Sequence, residues 1–274
     1  ALPGNDDEAG GSRRCRPLKE LTHLSLFSGI GGIDIAAEAA GFTTVCQCEW
    51  ADYPAKVLEK HWPDVPRWRD IRTLTKESFY ERTRLRTVDV ISGGFPCQPF
   101  STAGKRRGKE DDRYLWPEMV RIIKEIKPVW VIGENVPNIV NMGIEECISD
   151  LESIGYTGGV FTFPALSVGA KFKGDRVFII AASDCERRDS LDKEQKNKSK
   201  KQYKEMLSEW KSRQDDIPMD MDGFFTDTSV RIERNDDGLS EGMDRLKCLG
   251  NAVVPQQAYP IFRAIYEIEA MEND

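Results

Sequence analysis

Apolar residues in this 274-residue chain come in short runs separated by longer amphipathic stretches. Leu24 to Phe27, Thr43 to Cys48, Val88 to Ser92, Val129 to Gly133 and Val177 to Ala182 read as buried strands. Ile33, Ala36, Ala37 and Ala40 share one helical face, and Gly41 suits the C-cap of that helix. Leu115, Met119, Ile122 and Ile126 mark a second helix, stopped by Pro128. A last helix spans Gln256 to Met271. Strands alternating with helices predict an α/β fold, a mostly parallel twisted sheet with helices on both faces. The pattern breaks near Ser183. Residues 184–242 are polar, with only a weak helix around Tyr203 to Trp210, and read as a loop-rich or partly disordered lobe. The expected division is a flexible arm over 1–20, a main domain over 21–182, a small lobe over 183–244, and a segment over 245–274 that returns to the main domain.

Charge changes the picture little. The net charge is −7, which counts mildly against a phosphate-rich partner. The basic residues are clustered, however, in Lys105-Arg106-Arg107-Gly108-Lys109 and from Lys193 to Lys204. Each run is either a solvated face or a phosphate contact. No apolar run is long enough to span a bilayer, and residues 1–20 lack the apolar core of a secretory signal, so a cytoplasmic protein with no membrane partner is expected. The seven cysteines have no zinc spacing and only two histidines accompany them, so no metal is expected and reduced thiols are the default.

Gly29, Gly31 and Gly32 lie between a strand and a helix. There they either bring backbone amides close to a nucleotide-like ligand or form a tight packing turn. Glu49 ends the next strand about 20 residues later, where a carboxylate can accept ribose hydroxyls; Trp50 beside it can stack on adenine. Asp70-Ile71 is a weaker candidate for the adenine edge. Cys97, in Gly-Gly-Phe-Pro-Cys-Gln-Pro-Phe-Ser (residues 93–101), follows one buried strand, and Glu134 follows the next. A thiol and a carboxyl at one sheet edge suit a specific chemistry. Carbon 5 of cytosine becomes nucleophilic when a thiolate adds to carbon 6, and an acid at ring N3 relieves the developing charge.

These stretches together resemble the DNA cytosine-5 methyltransferases, particularly short phage- or prophage-type members. The resemblance rests on Phe27 to Gly32, Glu49-Trp50, Asp70-Ile71, Pro96-Cys97-Gln98, Glu134-Asn135-Val136 and Gly250-Asn251 through Pro255, in the family's order. It implies a Rossmann-like S-adenosylmethionine-dependent fold and double-stranded DNA as substrate. A monomer is the simplest assembly, in the bacterial cytoplasm or nucleoid or a phage-infected cell, with a restriction-modification setting. Cys97 would be the nucleophile, Glu134 the N3 partner and Arg176 the donor to cytosine O2. The cofactor would be held by Phe27, Gly29, Gly31, Gly32, Glu49, Trp50, Asp70, Ile71, Gly94, Pro96, Leu115, Asn251, Ala252 and Val253. The flipped base and its strand would meet Phe95, Pro96, Gln98, Ser101, Arg106, Arg107 and Asn135. Pro99 to Tyr114 would be a mobile loop closing over the base.

One stretch departs from the family pattern. Where the family carries Gln-x-Arg-x-Arg, this chain has Phe172-Lys173-Gly174-Asp175-Arg176, keeping only the last arginine. The ninth family motif is not recognisable. The rivals are an RNA cytosine-5 methyltransferase, a silent DNA-binding protein of the same fold, and a dinucleotide oxidoreductase, which the glycine spacing disfavours.

Overall fold

The computed structural model describes residues 20–96, 114–141, 143–170, 172–184 and 252–271. The expected arm (but for Glu20), nearly all of the 183–244 lobe, and the loop after Pro96 up to residue 113 lie outside them. So do the candidate residues Cys97, Gln98, Ser101, Arg106, Arg107 and Asn251.

Seven strands form one sheet: β1 (Leu21–Leu26), β2 (Phe42–Cys48), β3 (Arg67–Trp68), β4 (Val90–Gly94), β5 (Trp130–Asn135), β6 (Tyr156–Phe163) and β7 (Arg176–Ser183). Their order is β3-β2-β1-β4-β5-β7-β6. The first five run parallel, and β7 lies antiparallel between β5 and β6. The strand order reverses between β1 and β4, which opens a crevice at the carboxyl ends of the parallel strands. Glu49, Phe95 and the loop after Leu26 all stand at that end.

Helices cover both faces, as the alternation predicts. On one face α1 (Gly32–Ala39) and the last helix, α6 (Pro255–Met271), pack Ile33, Ala36, Ala37, Ile261, Phe262 and Ile265 against Leu21, Val90 and Ile132. On the other, α3 (Lys76–Thr83), α4 (Trp116–Ile126) and α5 (Ile144–Ser153) bury Phe79, Trp116, Met119, Ile122 and Leu151 against Leu24, Ile91 and Val131. Alternate residues of one strand, such as Val90 and Ile91, serve opposite cores, which requires a strand apolar along its whole length. The remaining helix, α2 (Asp52–His61), buries Ala55 and Leu58.

Polar residues also tie the parallel half together. Ser25 and Gln47 donate to the two oxygens of buried Asp34 at 2.9 and 2.8 Å, and Arg67 donates to Gln47 at 2.7 Å. This chain links β1, α1, β2 and β3. Burial holds the Asp34 carboxyl up, at about 6, against the pull of its two donors. His23 lies in the same layer between Thr44 (3.2 Å) and Ser92 (2.7 Å), where burial pushes it down to about 3 and keeps it neutral.

Candidate active site

Phe27 leaves β1 with φ of 54°, a left-handed conformation uncommon for a bulky residue and costing on the order of 1 kcal/mol. The chain then turns through Ser28, whose N–H donates to the carbonyl of Cys48 at 3.1 Å. Gly29 also has positive φ, and the space where its side chain would be is open. Gly31 and Gly32 are different. A β-carbon on Gly31 would meet the Trp62 ring at 2.5 Å, and one on Gly32 would meet the Val253 carbonyl oxygen at 2.5 Å. Only Gly29 opens outward; the other two let a ring and a backbone pack down onto the turn.

Glu49 accepts hydrogen bonds from the N–H groups of Gly29 and Ala51, both at 2.8 Å, one on each oxygen. It bridges the glycine turn and the start of α2, with lone pairs still free for a ligand. Trp50 is 69% exposed, as a platform for a planar ligand requires. Asp70 accepts from the N–H of Arg72 at 2.9 Å and caps a short 3-10 turn, Ile71–Thr73, in which Ile71 is buried. Leu115 packs, half-buried, against the core at the start of α4.

The other half of the crevice is buried. Glu134 lies within β5 rather than after it, paired across the sheet with Gly94 on β4 and Phe178 on β7. A β-carbon on Gly94 would stand 2.8 Å from Oε2 of Glu134, so the glycine leaves room for the carboxyl. Nε of Arg176 lies 3.0 Å from Oε1 of Glu134, at ion-pair distance but not aligned to hydrogen-bond among the described residues. Burial outweighs this cation and holds the Glu134 carboxyl up, at about 7. A carboxyl so tuned can carry a proton near neutrality and donate it.

Asn135 donates through Nδ2 to the carbonyl of Phe95 at 2.9 Å, while its Oδ1 accepts from the Val136 N–H at 2.9 Å. It thus fixes the chain one residue before Pro96. Phe95 is buried, its ring 4.8 Å from that of Trp116, and Trp116 donates to Asp150 at 2.8 Å. Both ends of the stretch holding Cys97 are therefore anchored.

At the site's seam stand Ala252 and Val253, both expected from the resemblance, together with Gln257, which escapes sequence reading. The Ala252 carbonyl accepts from Nη2 of Arg176 at 3.2 Å, while neighbouring Val253 covers Gly32. Buried Gln257, on α6, donates to the carbonyls of Phe163 (2.6 Å) and Gly174 (3.0 Å) and so holds the start of β7. A pair of glutamines, Gln256-Gln257, at the head of an apolar helix is the sequence signal for it.

Among the described residues, no group of three or more His, Cys, Asp or Glu could hold a metal ion, and no helix is long and apolar enough to cross a membrane.

Comparison with known proteins agrees with the fold. The profile of the C-5 cytosine-specific DNA methylase family matches residues 21–241. The type II methyltransferase M.AquIA of Picosynechococcus is 32% identical over 173 residues, covering 57% of this chain and 70% of that protein. M.HhaI of Haemophilus parahaemolyticus is 31% identical over 170 residues, covering 60% of this chain and 50% of that protein. A solved structure described as a putative DNA modification methyltransferase encoded within a prophage, from E. coli, superposes with a TM-score of 0.52 at 26% identity, covering 60% of this chain and 47% of that one. Apart from M.AquIA, the chain thus spans about half the length of these relatives. With its 3-2-1-4-5-7-6 sheet and a match over most of its length, the chain belongs to the C-5 cytosine-specific DNA methylase family.

Proposed function

We propose that this protein transfers a methyl group from S-adenosylmethionine to carbon 5 of a flipped-out cytosine in double-stranded DNA, in the cytoplasm or nucleoid of a bacterium. The observation that carries the reading is the buried Glu134 carboxyl, held up at about 7 beside Arg176, at the mouth of the same crevice as Glu49 and Trp50.

The residues present fit the cofactor. Open space at Gly29, an exposed Trp50 and the free lone pairs of Glu49 suit an adenosine, with Phe27, Asp70, Ile71 and Val253 around it. When bound, S-adenosylmethionine supplies an electrophilic methyl group. Everything else falls to the chain. Cys97 lies three residues beyond Gly94, a reach of about 10 Å of extended chain from the partner of Glu134. Its thiolate adds to carbon 6, and Glu134 donates its proton to N3 as charge moves into the ring. Arg176 binds O2. Carbon 5 takes the methyl group, with S-adenosylhomocysteine left behind; it then loses its proton to a base, elimination releases Cys97 as the thiolate, and N3 returns its proton to Glu134. Asn135 keeps the Phe95 carbonyl, and with it the approach of Cys97, in register.

Bisulfite sequencing of DNA from cells expressing the protein tests this directly. Protected cytosines should fall in one short motif with the wild type and vanish with Cys97→Ala, which still binds labelled S-adenosylmethionine. Protection that survives Cys97→Ala removes the nucleophile; label appearing in tRNA instead of DNA changes the substrate.

A further inference from the structure

The connection from β6 to β7, residues 164–175, carries two large apolar side chains into solvent, Leu166 (56% exposed) and Phe172 (58%). It begins where Phe163 pairs with Arg176, the arginine that meets Glu134, so it stands on the rim of the base half of the crevice. The connection is well fixed. The N–H of Ala165 donates to the carbonyl of Lys173 at 2.9 Å, and Gln257 holds the carbonyl of Gly174.

The Phe172 ring has a seat. Gly174 has φ of +41°, and a β-carbon there would stand 2.6 Å from the ring's Cε2 and 3.0 Å from the Ala165 β-carbon. The ring occupies the space a side chain at 174 would take. An arginine at 174, as in the family pattern, and a ring in this place exclude each other, so the two departures from that pattern form one device. Beside the ring, Lys173 projects a side chain that is 80% exposed. Its ammonium lies 3.5 Å from Asp175 Oδ2 at the base of the connection, and the rest of the side chain is open to solvent. An exposed, backbone-seated aromatic next to an exposed cation is the pairing that binds unstacked bases along a phosphate backbone.

Extruding a cytosine strips its neighbours of a stacking partner and leaves π faces bare. We propose that Phe172 stacks on a base left unstacked next to the extruded cytosine, with Leu166 extending the apolar contact and Lys173 meeting the adjacent phosphate. This rests on the DNA reading of the site and adds a substrate contact in place of the missing glutamine and arginine.

The test compares wild type, Phe172→Ala, Phe172→Leu and Phe172→Trp on a short duplex carrying the motif from the bisulfite map, with 2-aminopurine beside the target cytosine. Phe172→Ala should raise the KM for DNA about 10-fold, leave the KM for S-adenosylmethionine unchanged, and abolish the binding-induced change in 2-aminopurine fluorescence. Phe172→Trp should restore both, and Phe172→Leu neither. The proposal is overturned by a DNA KM within twofold of wild type, or by leucine rescuing as well as tryptophan. It is also overturned if Phe172→Ala lowers the Tm of the free protein and weakens both substrates alike, since the ring would then belong to the protein's own packing. A wild type that methylates no DNA defeats the functional reading and this contact together; an active wild type matched by Phe172→Ala defeats the contact alone.

Discussion

Glu49, just after β2, and Glu134, within β5, stand at the same end of one sheet, three strand places apart, yet the fold treats them in opposite ways. Glu49 is half-buried and receives one backbone N–H on each oxygen. Its position is fixed by the chain itself, and it serves as a stationary acceptor. Glu134 is buried, crowded by Gly94 and met by the Arg176 cation. Its proton affinity, rather than its position alone, is what the surroundings set. Binding a neutral sugar needs a fixed acceptor, whereas supplying a proton to a ring nitrogen needs a tuned one. On the function proposed above, the difference between the two carboxyls is the division of labour between the cofactor half and the base half.

Glu134→Gln should break this contrast most severely. We expect methyl transfer to fall by about 10²–10³-fold with S-adenosylmethionine affinity unchanged, as read by single-turnover kinetics and equilibrium titration. The pH profile sharpens the point. With its folded value raised from 4.5 to about 7, Glu134 holds its proton in the native protein until pH passes neutrality. Wild-type rates should decline as pH rises through about 7, and the glutamine variant should lose that limb. A limb that persists in the variant belongs to another group. The same shift makes a linked stability contribution that is full below the ordinary 4.5 and lost as pH rises towards 7.

Gly32→Ala probes the seam between the halves. Its methyl would press on the Val253 carbonyl at 2.5 Å, and the neighbouring Ala252 carbonyl is bound by Arg176. We expect a loss of about 2–3 kcal/mol in thermal or chemical unfolding. Weaker S-adenosylmethionine binding and a shifted pH limb for Glu134 should accompany it. If cofactor affinity drops while the pH limb stays put, the halves are independent.

Asp34→Asn should have the smallest effect, and none on turnover near pH 7.5. Because the native state holds the Asp34 proton up to about 6, wild-type stability falls as pH rises from about 4 to about 6. Asparagine retains partners for Ser25 and Gln47 and does not titrate. Urea unfolding at pH 4 and pH 7 should show that slope removed, a gain on the order of 1–2 kcal/mol above pH 6. An unchanged slope would place the titration elsewhere.

Much of this architecture was legible in the order of residues. Five strands announced themselves as short apolar runs because both of their faces are buried, and the helical faces of α1 and α4 followed from spacing alone. β6 did not, because Gly158 and Gly159 interrupt it and much of one face meets solvent. α3 buries only Phe79, so its periodicity is faint. The antiparallel setting of β7 depends on a connection whose direction no pattern encodes. At the site, Glu134 was expected just beyond a strand; the pairing of Gly94 with Glu134 carries the ladder further and buries the carboxyl. The glycine turn reads either as a ligand cradle or as a tight packing turn, and spacing alone cannot say that Gly29 opens outward while Trp62 and Val253 pack onto Gly31 and Gly32. Those partners lie about 30 and 220 residues away, beyond the reach of local pattern.

The contact of Val253 with Gly32 also bears on when the crevice is finished. A growing chain carries the glycine turn and both carboxyls well before residues 252–271 exist, and Gly32 and Val253 stand 221 positions apart in sequence. Ala252 and Val253 lead into α6, which seats Phe262 and Ile265 in the same core as α1. A chain not yet made as far as residue 253 therefore holds the glycine turn and both carboxyls without that covering contact.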